Sequence, residues 1–549
     1  MPKSSLPRIL FIVLVIAVLA AARSADCAGP NNGLVGVNID GVGDGSRDRM
    51  FVDLAKTLRP WTSPTNQAVT TDADGWPTCD VQSVLFDIRP FGAWSPPIDD
   101  PMAFQPDWSG AYSCSFDGQA DISVSGSGSA AIADKRYDSA TNTTSFKIVV
   151  PKGLGLLVIS FANTRRGPTS SSGAGFTHLR VIRPGYPADT RQIFTTSFLA
   201  SLAPFSTLRM MPALNSNDNP GYYGDPGHHA LEWNNRRLPT DATQVAMNGK
   251  TGLAWEYCIE MANESGKDIW INVPTSATDD YVRRLAELLR QTLKPGLRVY
   301  VEYSNEVWNF GFPQYIYNKL AAIDEVQAGR SKLADDGSRD QEAWAHRRYA
   351  ERIVQISEIF RSVYGDRAMM RIVRPVYASW TISLDAHFRD PLAWVNRAYG
   401  PPSGFIYAIA LGHYFNAEET AKTGSKDEIL AAMKRDSDRN AVSYYKPFVD
   451  LAQSYGLKAF VYEGGSDTGG GDPANVANRI EAERDPAMKE LIVHDVRDNW
   501  FGLGGSLYMY FSHAGAYSRY GCWGLTEDIV DTNTYKYQAI RELTASPAR

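Results

Sequence analysis

Eight short apolar, β-branched runs recur along this chain, and helix-length amphipathic segments separate the later ones. The runs occupy residues 34–39, 207–212, 268–273, 298–303, 370–376, 406–414, 458–462 and 505–511. Between them, residues 252–263, 279–293, 342–364, 426–455 and 486–500 carry apolar side chains at i, i+3, i+4 spacing, the period of a helix that buries one face. Strand and helix repeated to a count of eight is the arithmetic of an α/β fold, the parallel (β/α)8 TIM barrel. An open doubly wound sheet is the competing architecture, but no glycine-rich phosphate loop follows the first run.

The rhythm breaks after the first run. From about residue 62 to 192 the helical period gives way to Gly/Ser-rich segments at 120–130, 144–150 and 156–161, which alternate with period two. Such alternation predicts a small antiparallel β-sandwich. Barrel-like sequence resumes near residue 193, so the expected organisation is a barrel from 31–61 and 193–549 with a sandwich inserted at 62–192. Insertions of this kind sit at a barrel's working face. The inserted part either binds glycan or only buttresses one wall of the cleft.

The first 28 residues read as a leader. Lys3 and Arg8 precede an apolar stretch at 9–22, and small residues follow around 22–28. That is the pattern of a secretory signal peptide, and it predicts a secreted or periplasmic protein with no membrane span after cleavage. Five cysteines suit an oxidising compartment. Cys79 and Cys114 share the β-rich segment and a bridge between them is open, while Cys258 and Cys522 stand elsewhere. No CxxC or Cys/His cluster occurs and His228–His229 lacks a third spaced ligand, so neither metal nor cofactor is expected. The net charge of −6 has no basic stripe within it, which argues against a nucleic-acid partner.

Two glutamates occupy the positions where a parallel barrel does chemistry, the C-terminal strand ends. Glu306 follows the fourth run in the string VYVEYSNEVWN, and Glu463 ends the seventh in AFVYEGG. Paired carboxyls are what glycoside hydrolysis requires: one protonates the leaving oxygen, the other attacks the anomeric carbon. With 13 Trp, 27 Tyr and 22 Phe there is also aromatic surface for the apolar faces of sugars, although most such residues simply pack.

Asn305–Glu306 after a fourth strand, with a glutamate ending the seventh, resembles the retaining (β/α)8 glycoside hydrolases of the clan that includes cellulases, mannanases and β-galactosidases (clan A). The likeness covers roughly residues 33–60 and 193–545. It implies acid/base catalysis by Glu306, nucleophilic attack by Glu463, a hydrogen bond from Asn305 to the sugar 2-hydroxyl, and double displacement with retention. It also implies Arg209 near the nucleophile, keeping it ionised. At the end of the sixth strand His413 and Tyr414 are adjacent, so on a regular strand only one of them faces the substrate. Asn272 ends the third strand, where several clan members carry histidine. The eighth strand offers Tyr510, Phe511 and His513, with Trp523 following, as the platform under the reactive sugar. Trp308 is a second candidate platform.

The expected substrate is therefore a β-linked polysaccharide or oligosaccharide, cellulose- or mannan-like or a bacterial exopolysaccharide, attacked by an endo-acting enzyme. Competing readings are a non-catalytic glycan-binding barrel and an exo-glycosidase or transglycosylase on the same two glutamates. Elsewhere, Asp44, Arg47, Asp48 and Arg49 read as a solvated cleft edge, and Asn215, Asn217 and Asp218 as turn residues or ligands for sugar hydroxyls.

Overall fold

The computed structural model describes residues 33–89, 104–217, 230–246, 250 and 252–545. The leader with Cys27, Asp218 and His228–His229 lie outside them. Among the described residues no helix is long and apolar enough to cross a membrane.

Strands are numbered along the chain. β1 (Leu34–Asn38) is followed by β2 (Val81–Asp87), β3 (Gly110–Asp117), β4 (Gln119–Gly126), β5 (Ala131–Asp138), β6 (Thr143–Val150), β7 (Leu156–Arg165) and β8 (Thr177–Ile182). Then come β9 (Thr207–Arg209), β10 (Asp268–Val273), β11 (Val299–Tyr303), β12 (Val373–Ser379), β13 (Ala408–Asn416), β14 (Lys458–Asp467) and β15 (Leu507–Tyr510). β1 and β9 to β15 pair in parallel and close into a barrel, with β9 returning to β1. The chain is thus a (β/α)8 barrel, and every one of the eight apolar runs supplies a barrel strand. The fifth strand begins three residues inside its run because Met370 adopts φ 62° and bonds forward to Val373 in a turn.

Burial on both faces explains why these strands read as continuously apolar. In β11, Val299, Val301 and Tyr303 pack outward into the helical shell, while Tyr300 joins Trp270, Val376, Ala410, Phe460 and Met509 inside the bore. The helices carry local start signals. Ser425 and Glu428 form a reciprocal capping box at the start of Lys426–Asn440, and Thr278 caps Asp279–Thr292, whose first turn holds Asp279 and Asp280.

β2 to β8 build two antiparallel sheets, ordered β2-β7-β4 and β5-β6-β3-β8. Their inward residues share one core: Phe116 of β3 meets Phe161 of β7 edge-on at 5.5 Å, and Trp61 closes on Phe176 at 5.7 Å. Cys114 is buried in this core, whereas Cys79 lies in the turn before β2 against the Thr70 carbonyl. All four described cysteines are free thiols, so the Cys79–Cys114 bridge is absent.

The charged loop after β1 is not a solvated edge. Arg47 and Asp48 are buried: Arg47 Nη2 donates to the Ile88 carbonyl at 3.3 Å and Asp48 Oδ1 accepts from the Met50 amide at 3.0 Å. Arg49 pairs with Asp528, and Asp44 receives both Nε and Nη2 of Arg59. Arg47 and Arg49 find their partners far along the chain, at Ile88 and Asp528, which is why the local pattern reads as surface.

Candidate active site

β11 ends at Tyr303 and the chain turns at once. Ser304 and Glu306 both take left-handed φ, 56° and 43°, on either side of Asn305. Non-glycine residues held there store about 1–3 kcal/mol each and concentrate at sites where a side chain must be aimed. The turn closes with the Asn309 amide donating to the Glu306 carbonyl at 2.8 Å, and Asn309 Nδ2 donates to Glu306 Oε2 at 2.8 Å.

Glu463 arrives by a different device. In β14, Ala459 and Val461 face the helices and Phe460 and Tyr462 face the bore, so a regular pleat would turn Glu463 outward. The register slips instead: Leu411 pairs with Val461 but Gly412 with Glu463, and on the other edge Val461 pairs with Tyr508 while Gly464 pairs with Tyr510. This β-bulge carries one extra residue and lets Tyr462 and Glu463 both face inward. Opposite it stands Gly412, where a Cβ would lie 2.6 Å from the Tyr462 hydroxyl oxygen.

The two carboxyls meet in one cleft. Glu306 and Glu463 lie close enough for each to shift the other's titration, and Tyr462 Oη donates to Glu306 Oε1 at 3.3 Å. Burial, then the facing charge of Glu306, pushes the Glu463 pKa up to about 8, against the pull of Arg209. Burial also raises Glu306, opposed by its Asn309 and Tyr462 donors. Two such groups titrate as a pair, and burial holds protons on that pair to higher pH than on free carboxyls.

Beneath them lies a fully buried charge network. Arg209 forks onto Glu302 through Nε and Nη2 at 2.9–3.1 Å, donates Nη1 to Asn38 Oδ1 at 2.9 Å and Nη2 to Asn305 Oδ1 at 2.7 Å. Its remaining Nη1 hydrogen faces Glu463 Oε2 at 3.5 Å, an ion pair too long for a good hydrogen bond, and that oxygen has no other donor among the described residues. Arg209 therefore belongs first to Glu302 and only second to Glu463. Asn305 Nδ2 donates to Asn217 Oδ1 at 2.9 Å, and Gln314 Nε2 braces both Asn217 Oδ1 and the Asn305 carbonyl. One Asn305 amide hydrogen is left uncommitted among the described residues.

The other sequence-named residues divide. Tyr414 faces the bore, where its hydroxyl favours the charged form of Glu463; burial and the charges of Glu463, Asp467 and Glu306 keep that hydroxyl protonated. His413 does not join the site. It alternates outward, with its ring 4.8 Å from Tyr444 and 5.7 Å from Tyr445 on the helical side. Asn272 spends Nδ2 on Glu302 Oε2 and the Ser304 carbonyl and is 1% exposed, so it braces the network rather than lining the cleft. Phe511 meets Tyr414 at 6.2 Å and Trp523 at 6.0 Å, an aromatic group on the Glu463 side. Trp308 stacks on Trp380 with centroids 5.0 Å apart.

Glu302, Asn38, Tyr462, Trp380 and Asp467 are the participants that sequence reasoning passed over. Glu302 left a signal: it is the acid inside VYVEY, at the same strand parity as the bore-facing Tyr300, and a buried arginine on β9 requires such a partner.

No protein-family model matches the chain, and no curated protein sequence does. Among solved structures, a GH51 arabinofuranosidase from Xanthomonas axonopodis pv. citri aligns at 10% identity and TM-score 0.38, over 66% of this chain and 68% of its own. The N-terminal endo-1,4-β-D-xylanase 10B modules of Clostridium thermocellum align at 10% identity and TM-score 0.31, over 92% and 96%. Xylanase 10B of Thermotoga maritima aligns at 11% and 0.33, over 63% and 88%. Likenesses this remote carry no weight for function, and the barrel assignment rests on the strand pairing itself. Fold and site together define a (β/α)8 barrel with a coupled carboxyl pair at the C-terminal ends of its strands.

Proposed function

We propose that this chain is an exported retaining glycoside hydrolase that cleaves β-linked polysaccharide, with Glu306 as acid/base and Glu463 as nucleophile. The observation carrying the proposal is the meeting of the two carboxyls, one from the turn after β11 and one from the β14 bulge, in a single cleft. Retaining enzymes hold such carboxyls ~5–5.5 Å apart and inverting ones ~6.5–9.5 Å, and the mutual effect of Glu306 and Glu463 on each other's titration supports the closer arrangement.

In the first step a Glu463 oxygen bonds to C1 as the glycosidic C–O bond breaks, and the Glu306 proton passes to the departing oxygen. In the second, Glu306 takes a proton from water, the water oxygen bonds to C1 and Glu463 is released. The bound sugar separates the two carboxyls; Arg209 and Tyr414 then favour the charge on Glu463, leaving the proton on Glu306. The test is a polysaccharide screen with wild type beside Glu306→Ala and Glu463→Ala. Variants that cleave glycan as fast as wild type would sink the assignment.

Titration as a pair dictates the pH profile. kcat/KM is expected to be bell-shaped, falling at low pH as both carboxyls protonate and at high pH as both ionise, with the alkaline limb near pH 8. The same shift has a sign for stability. Because the folded Glu463 pKa lies above its ordinary 4.5, its contribution is complete below about pH 4.5 and is lost as pH rises through about 8. Glu463→Gln should therefore gain thermal stability relative to wild type at pH 8–9 and show less gain at pH 5. An alkaline limb beyond pH 10 would contradict the coupled pair.

The adjacent aromatic residues of β13 give a paired control. Tyr414→Phe removes a hydroxyl that favours the charge on the proposed nucleophile and is expected to lower kcat roughly tenfold, about 1.4 kcal/mol of barrier. His413→Ala, on the outward face, is expected to leave kcat within about threefold while lowering Tm. The reverse order would mean that β13 presents its other face to the substrate.

A further inference from the structure

The geometry points to a dedicated binding surface for the leaving group, built from the stacked indoles of Trp308 and Trp380 and accepting an uncharged sugar ring or aryl group by its face. This inference rests on the hydrolase reading and deepens it by giving the cleft a direction.

Aromatic residues flank the carboxyl pair in two separate groups. Tyr414, Phe511 and Trp523 gather on the Glu463 side, from β13 and the loop after β15. Trp308 and Trp380 stand on the Glu306 side, in the loops after the neighbouring strands β11 and β12. Trp308 is tied to the proposed acid by the turn that binds Asn309 to Glu306 at both backbone and side chain. The general acid protonates the oxygen that departs, so the part of the substrate beyond that oxygen extends along the acid's flank. Whatever Trp308 and Trp380 hold is therefore the leaving group rather than the ring under attack.

The pair has the build of a surface made before its ligand arrives. The indoles lie 5.0 Å apart and within 19° of parallel, both only half-buried. Their inner edges rest on His387, edge-on to Trp308 at 6.3 Å and to Trp380 at 6.1 Å, and His387 is held by Ser379 at 3.2 Å. Two residues beyond each tryptophan stands a large apolar side chain turned to solvent, Phe310 at 77% exposed and Ile382 at 60%. A lone exposed apolar residue needs no explanation, but two of them, each two residues from one member of a stacked, half-buried tryptophan pair, point to a surface meant to be covered. Aromatic faces cover the C–H faces of sugars and aryl rings, and a preformed platform spares the ordering cost of binding. The charge of the occupant follows from the neighbours: Glu306, Glu463 and Asp467 are acidic, and every N–H of the buried Arg209 is already engaged. Among the described residues, Arg209 therefore offers an anionic sugar no free donor.

The experiment compares two substrates with the same glycone: the oligosaccharide that wild type cleaves in the screen, and the glycosyl fluoride of the sugar it releases. Fluoride is a single atom that offers no face to a platform. Trp380→Ala is expected to lower kcat/KM on the oligosaccharide roughly ten- to fiftyfold, and to exceed any loss on the fluoride at least tenfold. Trp380→Phe, which keeps an aromatic face, should recover most of the loss. Equal losses on both substrates would mean the tryptophan only supports the fold, and no loss on either would mean the leaving group binds elsewhere; both results overturn the inference. A wild type that hydrolyses neither substrate removes the hydrolase reading itself, a failure visible before any variant is compared.

Discussion

Glu463→Ala is expected to lower kcat on the cleaved glycan by ~10⁴-fold or more and to regain activity when azide is added, yielding a glycosyl azide of inverted configuration. The size follows from the role: without the carboxylate no covalent intermediate forms, and the direct path must do without it. Azide fits the space the side chain vacates. It bonds to C1 from that face as the glycosidic bond breaks, and the Glu306 proton still reaches the departing oxygen. The variant should remain folded, since alanine removes a buried acid whose Oε2 has no close donor. Glu306→Ala should behave differently, losing most on poor leaving groups and giving a retained azide. If Glu463→Ala gives a retained azide and Glu306→Ala the inverted one, the two roles are exchanged; rescue by neither leaves no nucleophile.

Glu302→Ala is expected to destabilise the barrel by about 3–5 kcal/mol, read as a shift in the urea midpoint. Glu302 is wholly buried and accepts from Arg209, Trp270 and Asn272. Removing it strands the Arg209 guanidinium in the bore beside the Trp270 and Tyr462 rings, with only the distant contact to Glu463 to answer its charge. Burial raises the Glu302 pKa while Arg209 opposes that shift, so the carboxylate and the guanidinium depend on each other. Glu302→Gln, which keeps the shape and two hydrogen-bonding groups, should cost less. Activity should fall further than stability alone explains, because a displaced Arg209 releases Asn305 and draws closer to Glu463. A loss under about 1 kcal/mol for Glu302→Ala would mean Arg209 is satisfied without it.

The architecture was legible in the sequence because its signals are local. Each barrel strand is a short run buried on both faces, several helices open on a capping side chain as Asp279–Thr292 and Lys426–Asn440 do, and these signals repeat along the chain in the order of the fold. The two glutamates were legible for the same reason: each closes or follows a run, at the end where barrel loops converge. Met370 and the loop after β1 were less so. The start of β12 depends on a left-handed residue, and Arg47 and Asp48 are buried by partners that sequence spacing does not reveal.

What the chain alone determined, then, is the count and order of strands and helices and the strand ends at which acids stand. Tertiary structure alone decided which way those acids and their neighbours point. Strict alternation along β14 would send Glu463 into the helical shell; the extra residue that turns it inward exists only in the pairing with β13 and β15. The choice of Tyr414 over His413, the claim of Glu302 on Arg209 and the meeting of Trp308 with Trp380 likewise depend on how neighbouring strands are set against each other. Such contacts depend on register, and register is a property of two strands together that neither one carries by itself.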